Sequence, residues 1–356
     1  MSQEKNALQA KAKLQSSFMK KGITVAILSG MCYGMYSAFL YVGTSNGIWA
    51  DWYSGAIVLP AAAVVYLLGS MGSAINDTIS GIWCMIIAAI KGKLGDYFRT
   101  LGTKPGRIMI LAALVGGPVA STAYVVAFKM AGSIIIPITA LCPAIGAILG
   151  RILYKQPLNG RMILGIIICI SSSILIGSQG LGADGGKNII LGCLIALIAA
   201  FGWGFEGCVA GHGTMLIDFE IGITIRQLTS GLSNLIILVP IFGLITGVGA
   251  GGAFGLVGDA IASKAIIFFV ISGFFAVYAY SLWYKGNSMC GAALGMACNG
   301  MYSFWGPLFT WLVAGLYFEI PGLNLAARSW IGAVTMAIGI FIIAVNPIYL
   351  FKKKEA

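Results

Sequence analysis

The chain has 356 residues, of which 59% are hydrophobic and 9% are charged, and its mean hydropathy is +0.93. A soluble protein of this length carries about 25% charged residues, so this composition excludes a protein that is surrounded by water alone. The formal net charge is +11, but the basic residues are scattered between apolar segments. This pattern is typical of membrane topology and argues against a nucleic-acid-binding protein.

Long apolar segments make up most of the chain after an N-terminal tail, 1–21. A membrane-spanning helix needs about 20 apolar residues. The sequence predicts ten such spans: 22–44, 54–73, 107–128, 131–153, 162–178, 188–210, 221–245, 265–284, 287–316 and 329–349. A basic tail, 350–356, follows the last span. The fold predicted here is therefore an all-α membrane protein.

Segment 76–101 does not fit the series of spans. Its apolar part, 78–90, is short, and several cations follow it. We interpret this segment as an interfacial amphipathic helix on the cytoplasmic side, and an eleventh span over 78–90 is the alternative. With ten spans and the N-terminus inside, most of the 22 lysines and arginines lie on the cytoplasmic side, as the positive-inside rule requires. The C-terminus then also lies inside.

Short motifs recur in the two halves of the chain. Matching features are the aromatic–glycine pairs Tyr33-Gly34 and Trp203-Gly204 and the equally spaced prolines Pro143/Pro157 and Pro307/Pro321. They divide the chain into a first five-helix repeat, 22–179, a glycine-rich linker, 180–187, and a second five-helix repeat, 188–349. Because each repeat has an odd number of spans, the second is inverted relative to the first, and such repeats enclose a central site.

These motifs resemble the drug/metabolite transporter superfamily, in its EamA-like ten-span branch. The aromatic–glycine pairs match, and so does Arg226 near the start of span 7. The end of the second repeat, with Pro307, then Phe318-Glu319 and then Trp330-Ile331-Gly332, is also similar. The resemblance covers about residues 22–349 and implies a carrier of small molecules. Since one chain already supplies both halves, we expect a functional monomer in the lipid bilayer.

Glu206 is the strongest candidate for a functional side chain. An ionisable residue within a span is costly and is usually functional. Arg226 lies at a similar depth in the next span, so the two side chains could pair. Glu206 is then either a proton carrier or a ligand for a cationic substrate group, and the alternative is a buried structural ion pair.

Aromatic and polar side chains supply the other candidate binding residues. Rings beside a carboxylate suit an ammonium group or an aromatic substrate, whereas rings at span ends commonly form the interfacial belt. The aromatic candidates are Tyr33, Tyr36, Tyr124, Trp203, Tyr280 and Tyr302. Asn299, Tyr302 and Ser303 share one face of span 9 and either line the cavity or form hydrogen bonds between helices. Pro143 and Pro307 occupy equivalent positions and are predicted to be hinges.

Several classes of function are disfavoured by the sequence. The eight cysteines form no CxxC pair, so neither a metal site nor a disulfide framework is expected. The single histidine, His212, argues against an intramembrane metalloprotease, and the two GxGxxG matches follow helices rather than strands, which argues against a nucleotide cofactor. No cofactor and no enzymatic activity are predicted.

The sequence thus favours a secondary active transporter of a small organic metabolite across the cytoplasmic membrane by alternating access. A proton is the candidate coupling ion, and Glu206 gives a mild preference for amine or amino-acid substrates. The alternatives are a membrane scaffold or receptor that does not transport, and a channel.

Overall fold

The structure is a computed structural model, which describes residues 2–131, 135–139, 141–177, 189–321, 323 and 327–344. The predicted linker 180–187 and the basic tail 350–356 lie outside these residues. Throughout the described part the regular secondary structure is helical. In chain order the helices are α1 (Ser2–Thr44), α2 (Ile48–Ser54), α3 (Leu68–Ile90), α4 (Leu94–Leu101), α5 (Lys104–Leu114), α6 (Ala120–Ala131), α7 (Ile135–Thr139), α8 (Cys142–Tyr154), α9 (Gly160–Gly177), α10 (Ile189–Gly213), α11 (Phe219–Ser233), α12 (Val239–Ile245), α13 (Ala250–Ala262), α14 (Ile266–Cys290), α15 (Ala292–Asn299), α16 (Tyr302–Thr310) and α17 (Ala327–Ala344).

Four π-helical turns extend these helices without ending them. They precede α3, join α5 to α6, join α11 to α12 and follow α16, and their bounds are Ala63–Leu67, Val115–Val119, Asn234–Leu238 and Trp311–Tyr317. Pro118 lies inside the second of these turns. Because proline lacks an N–H group, it cannot make the normal helical hydrogen bond, and a wider turn accommodates this.

In the part of the chain that the structure describes, six helical segments are long and apolar enough to cross a membrane. Their bounds are Ser17–Thr44, Ala63–Ile90, Lys104–Ala127, Ile190–Gly213, Phe219–Ile245 and Ile266–Cys290. Shorter apolar helices cover Cys142–Tyr154, Gly160–Leu175, Ala250–Ala262 and Ala327–Ile343. Many large apolar side chains on these helices are exposed at the surface of the bundle, as lipid-facing side chains must be. The chain is therefore an all-α, multi-pass membrane protein.

The region of the predicted second span needs correction. We expected a span over 54–73 and a separate interfacial helix over 76–101, but one continuous helical segment runs from Ala63 to Ile90. Asn76, Asp77 and Ser80 lie in its middle and are buried. These polar residues resemble the end of a span in the sequence, whereas in the fold Asp77 and Ser80 have polar partners on α11 and Asn76 has one on α14. Only the short helix α4 remains separate from this segment.

Four sets of helix contacts hold the bundle together. Helix α1 packs on α14 and α16, α10 packs on α5, α6 and α8, α3 packs on α11, and α9 packs on α17. Glycines allow the closest approaches. A Cβ atom on Gly34 would lie 2.6 Å from the carbonyl oxygen of Trp305, and one on Gly204 would lie 2.9 Å from that of Cys142. Small residues at such crossings let helix backbones approach each other closely in lipid.

The two ends of the α3–α11 pair are closed differently. One end is closed by a buried apolar cluster, which includes Leu67, Val239, Phe242, Trp49 and Trp52. At the other end, Lys93 donates hydrogen bonds to Asp218 (2.8 Å) and to Glu220 (2.7 Å), and Lys91 also pairs with Glu220. We call these four residues, Lys91, Lys93, Asp218 and Glu220, the ionic cluster.

Candidate functional site

A cavity of about 580 Å³ lies within the bundle. Its volume falls in the range of small-molecule sites. Side chains from both predicted halves line it, and most of the residues singled out in the sequence are among them: Tyr33, Tyr124, Trp203, Glu206, Arg226, Tyr280, Asn299, Tyr302, Pro143 and Pro307. Glu206 and Arg226 are the charged residues among the lining side chains in the part of the chain that the structure describes.

Arg226 on α11 is the centre of a buried charge network at the cavity wall. Its Nε donates to Glu206 Oε1 at 2.8 Å, and Tyr284 donates its hydroxyl to the same oxygen at 2.7 Å. Its other nitrogen, Nη1, lies 3.4 Å from Asp77 Oδ2, and the guanidinium carbon lies 3.9 Å from the centre of the Tyr280 ring. Arg226 is 3% exposed and Glu206 1%, so the surrounding protein covers nearly all of their surface.

Asp77 is a member of this network that the sequence analysis missed. Ser230 donates its hydroxyl to Asp77 Oδ2 at 2.8 Å. Beside this bond, Gln227 accepts from Arg226 and donates to Ser80 Oγ at 2.5 Å. We call the α3 and α11 residues in these contacts, Asp77, Ser80, Arg226, Gln227 and Ser230, the polar clasp. It joins the middle of α3 to the middle of α11.

Several aromatic candidates meet around Tyr33. The Tyr33 ring centroid lies 4.6 Å from those of Tyr36 and Tyr302, and 6.3 Å from that of Tyr280. Tyr36 is not among the lining residues, but its ring contacts the lining ring of Tyr33 edge-on. That Tyr36 takes part in substrate binding or coupling remains a prediction.

Tyr124 and Trp203 form a separate aromatic contact at the cavity, with ring centroids 5.5 Å apart. Asn299 lines the cavity and also connects helices. Its Nδ2 donates to Ser29 Oγ at 2.6 Å, and Ser29 donates to the carbonyl oxygen of Ala279. Asn299 therefore does both of the things predicted for it as alternatives: it lines the cavity, and it forms a hydrogen bond between helices. Ser303 belongs to α16, but its side chain lies outside the described part of the structure.

The two candidate hinge prolines lie close to helix ends. Pro143 is the second residue of α8, and the turn residue Leu141 precedes that helix. Pro307 is inside α16, and Gly300 and Met301 separate that helix from α15. Broken helices whose ends meet a cavity are the usual form of a binding site in membrane carriers. That these prolines act as hinges remains a prediction.

Four buried polar atoms at the cavity have no hydrogen-bond partner among the described residues. They are Thr122 Oγ1, Glu206 Oε2, Asn234 Oδ1 and Trp283 Nε1. A buried polar group without a partner costs about 1–3 kcal/mol. These atoms offer acceptors at Glu206 and Asn234, a donor at Trp283 and both functions at Thr122. All four atoms belong to residues that line the cavity, so the unpaired groups lie in the cavity wall.

Two of the π-helical turns contribute residues that lie at this site. Gly116, in the turn between α5 and α6, packs against the Glu206 carboxylate so closely that a Cβ atom would overlap with Oε2. Asn234 begins the turn between α11 and α12. Such turns are frequent at functional sites. Among the residues that the structure describes, no group of three or more metal-ligating side chains is present.

Comparisons with known proteins define the fold alone. No family model matches the chain, and no curated protein matches it. One solved structure, described only as the crystal structure of a protein, has a TM-score of 0.59 with 13% sequence identity. The match covers 92% of this chain and 99% of the other, so the two share an overall fold along nearly their full lengths.

Proposed function

We propose that this chain is a secondary active transporter of a small organic metabolite and works by alternating access between two inverted five-helix halves. The observation that carries the proposal is the cavity itself. Both predicted halves line it, and four of its lining residues carry buried polar atoms that have no hydrogen-bond partner within the described residues. Protein interiors pair most of their buried polar groups, so unpaired groups in the wall of a cavity support a role in ligand binding.

Contacts between α9 and α17 support the inverted relation of the halves. In the sequence repeat Gly165 corresponds to Gly332, which makes Ser172 correspond to Gly339. A Cβ atom on Gly165 would lie 2.7 Å from the carbonyl oxygen of Gly339, and Ser172 donates to the carbonyl oxygen of Gly332 at 2.8 Å. When Gly165 is replaced by its counterpart Gly332, and Gly339 by its counterpart Ser172, the first contact becomes the second. Two helices related by a twofold axis make paired contacts of this kind.

The polar clasp gives a second example of paired contacts. The hydrogen bond from Ser230 to Asp77 has its counterpart in the bond from Gln227 to Ser80. The sequence contains the same relation, because Asn76-Asp77-x-x-Ser80 on α3 parallels Arg226-Gln227-x-x-Ser230 on α11. The other helix pairs follow this pattern, since α1 packs on α14 and α16 as α10 packs on α6 and α8. This pairing supports ten spans, in which α7 with α8, α9, α15 with α16, and α17 add four crossings to the six long segments.

The position of the cavity supports one conformation of a transport cycle. Ser70 and Ser73 of α3 face it together with Asn234 and Leu238, all on one side of the polar clasp. On the other side the two helices are packed around Cys84 and closed by the ionic cluster. In the predicted N-in topology the cavity lies toward the outer side, and the cytoplasmic side is closed.

The charges of the site give a mild preference for amine or amino-acid substrates. Glu206 and Asp77 together outnumber Arg226, and aromatic rings beside them suit an ammonium group. The alternative is a membrane scaffold or receptor that does not transport. It requires no central cavity with unpaired polar atoms, and it predicts no substrate flux.

The test is a thermal-shift screen of the purified protein with amines, amino acids, nucleosides, sugars and organic acids. A ligand that binds only the folded state adds about 2.7 kcal/mol at 100 times its dissociation constant. Uptake of the compound found is then measured in proteoliposomes with the wild type and Glu206→Gln. Asp259→Asn is the matched control, because Asp259 is exposed on α13, away from the cavity. Binding without saturable uptake would favour the receptor, and conductance without saturation would favour a channel.

A further inference from the structure

The buried network holds one negative charge more than it holds positive charge. Asp77 and Glu206 each carry a carboxylate, and Arg226 is the cation that contacts both. All three side chains are less than one-tenth exposed. An uncompensated charge in such surroundings is expensive, and the usual way to remove the cost is to neutralise the group. The network therefore has room for one further positive charge.

The contacts divide the charge of Arg226 unequally between the two carboxylates. Glu206 accepts a charge-assisted hydrogen bond of 2.8 Å from Arg226 Nε and a second bond from Tyr284. Asp77 lies 3.4 Å from Arg226 Nη1, beyond the usual 2.7–3.2 Å of an N–H···O bond. Its short bond comes from the neutral hydroxyl of Ser230. Glu206 is thus the established ion-pair partner, and the excess charge belongs to Asp77.

We propose that Asp77 is the proton-binding residue of this transporter and that Glu206 holds Arg226 in position. This inference deepens the proposed function and rests on it. A proton from water on one side forms an O–H bond with the Asp77 carboxylate, and the network becomes neutral. On the other side that bond breaks, the proton returns to water, and the excess charge is restored. The network is neutral while Asp77 is protonated and carries one negative charge after the proton has left. These two states belong to different steps of the transport cycle.

The other groups that face Asp77 are consistent with this role. Arg226 and the uncharged Ser230 approach from α11, Asn76 is an uncharged neighbour on α3, and Glu206 on α10 faces Asp77 through Arg226. The remaining titratable neighbours are tyrosines of α14 and α1, of which Tyr280 stacks under Arg226. One turn before Asp77, Ser73 lines the cavity, so the cavity ends about one helical turn from the carboxylate.

Infrared difference spectroscopy tests the assignment without any substrate. The protein in lipid is titrated with pH, and the carbonyl stretch of a buried protonated carboxyl group is followed. We expect a band that appears as the pH falls, is lost in Asp77→Asn, and persists in Glu206→Gln and in the exposed control Asp259→Asn. In wild-type protein labelled with ¹³C in the side-chain carboxyl groups of its aspartates, the band should shift in frequency, which assigns it to an aspartate without any substitution.

The alternative outcomes overturn the proposal. A band that shifts with labelled glutamate and is lost in Glu206→Gln would make Glu206 the proton carrier. The absence of a titrating buried carboxyl band in the wild type would remove proton binding from the network altogether. Because the measurement needs no transported compound, either outcome can be observed while substrate uptake is intact. Failure of the inference is thereby distinguished from failure of the proposed function.

Discussion

Arg226 shows how a single side chain sets the energetics of the site. It contacts carboxylates from two other helices and lies over the ring of Tyr280. Burying such a charge is tolerable only while its partners remain, because breaking a buried ion pair costs about 3–5 kcal/mol. The network is therefore both the chemical centre of the cavity and a strong constraint on the packing of α3, α10 and α11.

Two substitutions of Glu206 test how much the hydrogen bonds and the charge of its carboxylate stabilise the fold. Glu206→Ala leaves Arg226 without its close partner and Tyr284 without an acceptor, and we expect a loss of about 3 kcal/mol in unfolding free energy. Glu206→Gln keeps an oxygen acceptor for both donors and should lose clearly less. Unfolding followed by circular dichroism in detergent measures the difference. Equal losses in the two variants would show that the acceptor geometry in this network does not stabilise the fold.

Gly34 tests the close packing of α1 against α16. A Cβ atom there would lie 2.6 Å from the carbonyl oxygen of Trp305, so Gly34→Ala forces the backbones apart. We expect about 1–3 kcal/mol of destabilisation, the usual cost of overpacking. Gly255→Ala is the matched control, because a Cβ atom on Gly255 in α13 meets nothing within 4 Å. The measurement is the thermal midpoint of each variant, and equal midpoints would contradict the predicted constraint.

The sequence predicted part of this residue-level arrangement. Equal depth in adjacent spans was enough to predict that Glu206 and Arg226 could pair, and the structure places them 2.8 Å apart. Asp77 could not be found in the same way, because its segment was interpreted as interfacial. The available signal was the parallel between Asn76-Asp77-x-x-Ser80 and Arg226-Gln227-x-x-Ser230. Whether Tyr36 reaches the cavity depends on which face of α1 meets α14, and span-level reasoning does not give that.

At the level of elements, the ionic cluster fastens the ends of α3 and α11. Asp218 is the N-cap of α11 and accepts hydrogen bonds from the backbone N–H groups of Glu220 and Ile221. Partial burial alone would raise the pKa of Asp218, but the hydrogen bond from Lys93 and that from the Glu220 backbone lower it overall. Hydrogen bonds to Asp218 and then Glu220 raise the pKa of Lys93. Both shifts favour the ion pair at neutral pH.

The two pKa directions define the pH window of this closure. The contribution of Asp218 is present above its unfolded pKa of about 3.9 and is lost as the pH falls through its lowered folded pKa. That of Lys93 is present below its unfolded pKa of about 10.4 and is lost as the pH rises through its raised folded pKa. The cluster is thus intact at neutral pH. Since Asp218 is 37% exposed, each pair contributes only about 0.2–1 kcal/mol.

Reactivity of Cys84 reports whether the cluster closes this end of the bundle. Cys84 is 3% exposed and packs in an apolar cluster with residues of α11. In a variant whose other cysteines are replaced, removing both lysines (Lys91→Gln with Lys93→Gln) should speed maleimide labelling about fivefold, the equivalent of about 1 kcal/mol. High salt should act in the same direction. Lys104→Gln, on the same side and exposed, is the control, and unchanged labelling would show that apolar packing alone closes this end.

Hydropathy predicted that the long apolar segments are helices, but it did not predict correctly where each helix begins and ends. The long apolar segments are helical as expected, but α3 runs through the polar residues of the clasp to Ile90. Hydropathy is averaged over a stretch of neighbouring residues along the chain. It therefore contains no information about the hydrogen bonds that α11 makes with the polar residues of α3. Helix α13 lies between the predicted spans 221–245 and 265–284, where no helix was predicted. In the fold, Ala253 and Val257 bury one face of it.

At the scale of the whole molecule, the proposed function depends on the membrane sides of the two halves. The predicted N-in topology with ten spans puts Arg151, at the end of α8, inside and Lys264, before α14, outside. An eleventh span over 78–90 would reverse both assignments, since every later segment would change sides. The continuous segment Ala63–Ile90 supports the ten-span interpretation, because 78–90 is then the second part of a single crossing.

Cysteine labelling in intact cells decides between these topologies. In a background without native cysteines, an impermeant maleimide should label Lys264→Cys and leave Arg151→Cys unlabelled until the membrane is opened. Both positions are exposed at helix ends, so access to the reagent rather than burial decides the result. The reverse pattern would put the ionic cluster outside and the cavity toward the cytoplasm. Labelling of both positions from one side would be incompatible with two inverted halves, because an odd number of crossings must separate α8 from the start of α14 in that arrangement.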